Sequence, residues 1–396
     1  MIYERTWGLA PIGHRPVGRT PRRECRNRGF LLVGKKIFQI ILLVLMVLGL
    51  PVLGLVLSGK PLSPYFKFPP ATMFVHRAPF SWWAFTGYTL FIAVCITPFI
   101  LQGMRKPGVS TPSIGRSGSF PWWGGLGATM GLCAWILAWT RFPWFHPFQA
   151  HTFTPLWLAY ILFANALTFY RTGRCLMLDR PGRFLLLFPA SAAFWWFFEY
   201  LNRFVQNWQY AGVGFGPREY FLYATLSFSS VLPAVMSTRE WLGTFPRIRQ
   251  NFAAFLPITL PFPRFWAVLS LCAAAAGLAG LGIRPDHLYA LVWVSPLLIL
   301  VSFQALVREP TIFSPLAPGD WRGVLSCALA ALICGFFWEM WNYWSLAQWT
   351  YAVPLVQRFH VFEMPVLGYA GYLPFGVTCG VVSEMILGER RVRSPI

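Results

Sequence analysis

The 396-residue chain is 56% hydrophobic, 18% aromatic and only 12% charged, with 20 Trp and 37 Phe. Soluble domains carry about 25% charged residues, so this composition excludes an ordinary soluble globular fold and points to a membrane protein. The net charge of +20 comes with no nucleic-acid-binding module, and no nucleic-acid partner is expected.

Residues 1–36 form a basic arm, expected to be cytoplasmic and held near anionic lipid headgroups. The apolar run that follows is about 22 residues, longer than the 7–15 of a signal-peptide core, so it is read as a retained first helix. Apolar runs of bilayer-spanning length recur at roughly 37–58, 80–102, 121–140, 153–170, 184–202, 219–236, 265–283, 287–307, 322–341 and 364–387. They are continuous, without period-two alternation, and lipid admits only helices or closed barrels. The fold class expected is therefore all-α: a polytopic membrane protein of about ten transmembrane helices.

With the N-terminus in the cytoplasm, 25 of the 33 Lys and Arg fall on the inner side, the positive-inside bias. Both termini are then cytoplasmic and the location is the cell (inner) membrane. Cys95, Cys133, Cys272, Cys327, Cys334 and Cys379 fall within spans, where Cys serves as a small apolar residue. There is no CxxC, and the six His show no HxxH or HxxxH spacing, so no metal site is expected. The absence of GxGxxG and Walker motifs leaves no visible nucleotide site.

An internal repeat organises the chain. "SFPWW" at Ser119–Trp123 matches "PFPRFW" at Pro261–Trp266, and "RPGRFLLL" at Arg180–Leu187 matches "APGDWRGVL" at Ala317–Leu325. "FFEYLN" at Phe197–Asn202 matches "FWEMWN" at Phe337–Asn342, and "LSFSSVLP" at Leu226–Pro233 matches "LGYAGYLP" at Leu367–Pro374. Each unit holds four spans, an even number, so the copies run parallel, related by an axis along the membrane normal. The expected organisation is the arm at 1–36, two N-terminal helices within 37–118, a first four-helix repeat at 119–260, and a second with the basic tail at 261–396.

The repeat places two acidic residues at equivalent positions. Glu199 lies 16 residues beyond Arg183, and Glu339 17 beyond Arg322, about 24–25 Å from the inner face at 1.5 Å per residue. Both are expected in the outer part of the membrane, turned toward a shared interior. A carboxylate near the middle of a membrane helix costs about 2.5–3.5 kcal/mol, and protonation relieves that cost. Asn202 and Asn342 lie one turn on, on the same faces, and are expected to hold the carboxyl groups in orientation. Trp195 precedes Glu199 by one turn; Trp338 and Trp341 surround Glu339; Trp208/Tyr210 and Trp349/Tyr351 follow the two helices. Only the second copy adds His360 and Glu363, where the first has Glu219 and Leu222, so Glu339 and Glu363 are expected to be the more sensitive acids. Glu240 and Glu384 read as plain surface charges, and Tyr369 and Tyr372 as packing residues.

A neutral carboxylic acid in an aromatic pocket can protonate an alkene or epoxide; aromatic faces attract the resulting cation, and a second carboxylate removes a proton. No cofactor is required. The aromatic-acid pair, the Trp-x-aromatic about ten residues later and the following Pro/Glu motif resemble the small integral-membrane lycopene cyclases (heterodimeric or fused type) and the integral-membrane terpenoid cyclases. The resemblance covers Phe194–Tyr210 and Phe336–Pro365; the lycopene cyclases carry Pro-x-Glu-Glu where this chain has "FEMP" at Phe362–Pro365. It implies proton-initiated cyclisation or hydration of a polyprenoid. The same residues also admit other readings. One is a transporter with polar groups at its repeat interface. Another is a non-catalytic lipid-binding or assembly protein, with the Glu/Asn pairs as interhelical hydrogen bonds and the Trp and Tyr as an interface belt.

Overall fold

The computed structural model describes residues 41–72, 74–108 and 119–388. The basic arm expected at 1–36, Cys25 and the basic tail lie outside the described residues. Residues 41–45 fall in a separate unit from 46 onward, and the description below concerns the larger unit.

About 71% of the described residues are helical, and helix occupies the described part of each apolar run read from the sequence. The helices are α1 (Ile41–Leu57), α2 (Trp82–Met104), α3 (Trp122–Trp139), α4 (Phe153–Thr172) and α5 (Pro181–Val205). After strand β1 (Trp208–Ala211) come α6 (Pro217–Phe228), α7 (Val231–Leu242), α8 (Pro263–Ile283), α9 (Leu291–Leu306) and α10 (Arg322–Tyr343). Strands β2 (Gln348–Tyr351), β3 (His360–Val361) and β4 (Met364–Pro365) precede α11 (Tyr372–Leu387). Seven helical stretches are long and apolar enough to cross a membrane: α2, α4, α5, α6 with α7, α8, α10, and α11 with its preceding 3₁₀ turn. Helices α1 and α9 are apolar but shorter, and α3 is diluted by four Gly and four Trp.

The run expected as one helix over 219–236 is divided. Ser229 and Ser230 lie between α6 and α7, their hydroxyls donating back to Leu226 O and Ser227 O at 2.6 and 2.7 Å, a local alternative to the helical ladder. Ser191 of α5 fills the break: its hydroxyl donates to Phe228 O at 2.6 Å and accepts from Leu232 N at 3.0 Å. Helix α7 beyond the break is buried on nearly every side. It packs against α4, α5, α10 and α11.

The packing recurs in the two halves. Helix α3 lies on α4, α5 on α6 and α7, and α4 on α7; α8 lies on α9, α10 on α11, and α9 on α11. Across the halves α7 meets both α10 and α11. At their far ends Arg239 of α7 pairs with Glu384 of α11 at 3.1 Å, side chains 18% and 15% exposed. Glu384 is thus no plain surface charge, and Glu240 accepts a hydrogen bond from Leu176 N at 2.8 Å. Both acids were drawn inward because helix-end backbone and a buried guanidinium need acceptors.

Helix α1 crosses α8 at small residues. A Cβ on Gly282 would lie 2.4 Å from Pro51 O and 2.6 Å from Leu55 N, whereas one on Gly49 would meet nothing within 4 Å. Gly282→Ala is expected to destabilise the purified protein in detergent by about 1–3 kcal/mol through overpacking, and Gly49→Ala to leave it unchanged or slightly stabilised. Equal melting temperatures for the two variants would remove this crossing as a packing constraint.

Candidate functional site

The site grows from the ends of α5 and α10. Helix α5 stops at Gln206, in the left-handed region at φ 50°, and the chain turns into β1. Helix α10 stops after Tyr343 and the chain runs into β2. The strands pair antiparallel: Trp208 with Tyr351, Gln209 with Thr350, Tyr210 with Trp349. Gln209 and Thr350, paired at the centre of the ribbon, are 141 residues apart, within the range of offsets at which the sequence motifs recur. Residues two apart on a strand share a face, as do directly paired residues. Trp208, Tyr210, Trp349 and Tyr351 therefore form one aromatic face.

Each carboxyl group takes hydrogen bonds from that face. Glu199 is 3% exposed, and its Oε1 accepts from Trp195 Nε1 at 3.1 Å, Trp208 Nε1 at 2.9 Å and the Tyr210 hydroxyl at 2.6 Å. Glu339 is 0% exposed, and its Oε1 accepts from the hydroxyls of Tyr351 and Tyr372, both at 2.7 Å. Trp349 Nε1 donates to the Tyr351 hydroxyl at 2.9 Å. Burial first, and then the adjacent Glu339 carboxyl, push the Tyr351 phenol well above its usual range, so it stays a protonated donor.

Asn202 and Asn342 do not orient the carboxyl groups, as the sequence reading expected. Asn202 Nδ2 donates to Trp208 O at 2.7 Å and its Oδ1 accepts from Trp208 N at 3.3 Å. Asn342 does the same with Trp349, at 2.7 and 2.8 Å. A side-chain amide has one donor and one acceptor edge, matched to a peptide group that has left its helix and needs both partners. The two Asn fasten the strands, and the strands deliver the donors.

Where the halves differ, the donors are exchanged. The position matching Trp195 is Gly335, and the position matching Tyr372 is Val231. A Cβ on Gly335 would lie 2.4 Å from the Tyr372 ring. The missing side chain on α10 thus makes room for an aromatic donor from α11, whereas α5 supplies its own. Tyr372 is therefore a site residue that was read as packing; the Gly opposite a Trp was the available signal.

These groups border a cavity of about 650 Å³, within the range of pockets that bury small organic ligands. Glu199, Trp195, Asn202, Trp208, Tyr210, Trp338, Trp349, Tyr351 and Tyr372 all line it, and Glu199 is the one carboxylate doing so among the described residues. Glu339 and Asn342 sit behind Tyr351 and Tyr372, off the lining. Trp341 lies elsewhere, packed on Trp157 and Phe337. His360 is exposed and shares a 3.0 Å hydrogen bond with Gln357. Glu363 occupies the turn between β3 and β4. Neither lines the cavity, although Met364 of the same hairpin does. Arg203, one turn beyond Glu199, does line it and went unremarked in the sequence; its Nη1 donates to Tyr65 O and Lys67 O at 3.0 and 2.9 Å. One wall is the Tyr88, Phe91, Ile92, Cys95 and Ile96 face of α2, a helix with no buried residue along its length.

Comparison of the chain with protein-family models, with curated proteins and with solved structures finds no match.

Tyr372→Phe removes one of the two donors to Glu339 and is expected to cost about 1 kcal/mol. Gly335→Ala is expected to cost about 1–3 kcal/mol by overpacking against the same ring. The exchange of donors predicts coupling: Gly335→Ala should be nearly neutral in a Tyr372→Val background, which copies the Val231 arrangement. Additive losses in a double-mutant cycle of thermal unfolding would show that the two residues do not share this space.

Proposed function

We propose that this chain is a ten-span protein of the cell membrane with both termini cytoplasmic. In this reading two parallel four-helix repeats enclose a cavity where a hydrophobic isoprenoid or other lipid undergoes cofactor-free acid catalysis: cyclisation, hydration or isomerisation. The repeat is supported by the recurring helix packing and by the ribbon, in which residues 141 apart pair at the centre. The topology is supported by the 25 of 33 basic residues on one side.

One observation carries the catalytic reading: a single carboxyl group, Glu199, enters an aromatic cavity with three donors gathered on one of its oxygens. In this reading Oε1, which takes the three donors, is the carbonyl oxygen of the neutral acid and Oε2 carries the proton. Transfer of that proton to an alkene carbon forms a C–H bond and leaves a cation on the neighbouring carbon. The faces of Trp195, Trp208 and Trp338 stabilise that cation. Loss of a proton from an adjacent carbon to the Glu199 carboxylate closes the cycle with no net change in composition; capture by water gives an alcohol instead. The resemblance to integral-membrane terpenoid cyclases points to the same chemistry.

The sequence placed the more sensitive acid in the second half, at Glu339 with Glu363 and His360. The cavity lining favours the reverse, with Glu199 meeting the substrate and Glu339 anchoring Tyr351 and Tyr372 from behind.

Glu199→Gln keeps the acceptor oxygen and removes the proton. In lipid extracts of cells expressing the variant, the isoprenoid or lipid product made with the wild-type chain should be missing while the protein melts near the wild-type temperature. Glu339→Gln should keep most of the activity, because an amide oxygen still accepts from both phenols and a membrane hydrogen bond averages about 0.6 kcal/mol; Glu363→Gln should be silent. Full conversion by Glu199→Gln would sink the acid role and leave a binding or transport protein. Separately, reporter fusions at Arg174 and Gln357 should report opposite sides of the membrane; the same side for both would reject the topology.

A further inference from the structure

The cavity holds two polar atoms that the catalytic reading does not use. Asn207 follows α5 directly, is 3% exposed and lines the cavity. Its peptide oxygen is taken by Ala352 N at 2.8 Å, but its side-chain oxygen is buried without any hydrogen-bond partner. Tyr220, in the first turn of α6, also lines the cavity, and its hydroxyl is likewise buried and unpartnered. The nearby amides behave otherwise. Asn202 uses both edges on Trp208. Gln206 accepts from Phe74 N and Val75 N at 3.1 and 3.0 Å and donates to Ala71 O at 2.9 Å. A buried polar atom without a partner costs about 1–3 kcal/mol, so two in one cavity mark places a ligand would fill.

Both orphans adjoin residues that bond the acid. Asn207 adjoins Trp208, whose indole bonds Glu199, and the Tyr220 ring lies 6.1 Å from that of Tyr210, whose hydroxyl bonds Glu199. The opposite wall, Tyr88 to Ile96 on α2, offers only one hydroxyl among apolar side chains, and spans about 12 Å at 1.5 Å per residue. The cavity thus holds a buried amide oxygen that lacks a donor and has, on α2, a wall that suits a hydrocarbon chain.

We propose that the occupant is a lipid alcohol: a long apolar chain along α2, ending in a neutral hydroxyl that donates to Asn207 Oδ1 and accepts from the Tyr220 hydroxyl. An amide oxygen only accepts, so the head group must donate. An ionised carboxylate has no hydrogen to give. An ammonium could donate to both atoms, but it would set a second cation beside Arg203, which lines the same cavity. This inference rests on the cavity being the lipid site proposed above, and adds which class of lipid it prefers.

The test uses the full chain purified in detergent and photoreactive diazirine analogues of hexadecanol, palmitate, hexadecylamine and hexadecane, with labelled peptides read by mass spectrometry. All chains that bind should label α2, and hexadecanol should reach half-maximal labelling at about a tenth of the concentration hexadecane needs, the effect of one or two net hydrogen bonds. Asn207→Leu should bring hexadecanol to the level of hexadecane without changing hexadecane itself. Tyr220→Phe, which keeps the ring packing, should lose part of the preference. If the alcohol and the hydrocarbon label alike, water serves both atoms and the proposal is overturned; tighter labelling by palmitate or hexadecylamine overturns the neutral hydroxyl. Failure of every chain to label α2 defeats the lipid cavity itself, a separate result.

Discussion

Two carboxyl groups have been taken out of water, and the arrangement around them follows from that cost. An acid buried among apolar helices survives only where donors converge on it. Phe, Leu, Val and Ala, which make up most of these helices, have no donor to give. The chain meets the demand with residues that are apolar in body and polar at one atom: the indole of Trp and the phenol of Tyr. Glu199 and Glu339 together receive two indole and three phenol donors, and no Lys or Arg. A cation so placed would have carried its own desolvation cost. The donors, being aromatic, also build the cavity wall, so one choice of residue type serves the acid and any apolar ligand beside it.

The donors in turn need a rigid mount. A two-stranded ribbon alone is marginal, and this one has four paired positions. Asn202 and Asn342 compensate by gripping the peptide groups of Trp208 and Trp349 from the helix ends. The order of dependence runs from helix end to amide, to strand, to aromatic donor, to carboxyl. It explains why the same Glu-x-x-Asn spacing ends both helices even though the Asn never touches the Glu. It also explains how the halves diverge without losing the acid: the mount is kept in both, while the remaining donor comes from α5 in one half and from α11 in the other.

How much of this was legible depended on sequence distance. The helices were, because long apolar runs and few charges leave no other structure available to a chain in lipid; helix occupies the described part of each run, with the run at 219–236 divided in two. The acids and the ribbon aromatics were also legible, since they lie within about a dozen residues of one another and recur at a constant offset. Pairings across the halves were not. Nothing local in "NWQYA" or "QWTYA" announces a strand partner 141 residues away, nor that Tyr372 reaches α10 through the space left by Gly335. The roles of Asn202 and Asn342 were misread for a related reason: spacing places a side chain on a face but does not say whether the neighbouring carboxyl or the departing backbone claims it. His360 and Glu363 drew attention by residue type alone, and neither lines the cavity.

The halves now differ in a way that composition could not reveal. Glu339 is enclosed by its two phenols, and its Oε2 is buried without a partner; Glu199 opens on the cavity. Two acids at equivalent positions, in equivalent mounts, have separate access. A further element, α2, borders the cavity with one face and buries none of its residues in the protein. A helix held so lightly contributes little to stability through packing. Both carboxyl groups are buried, but only Glu199 lines the cavity, and that is the asymmetry the proposed acid chemistry on a single substrate would use.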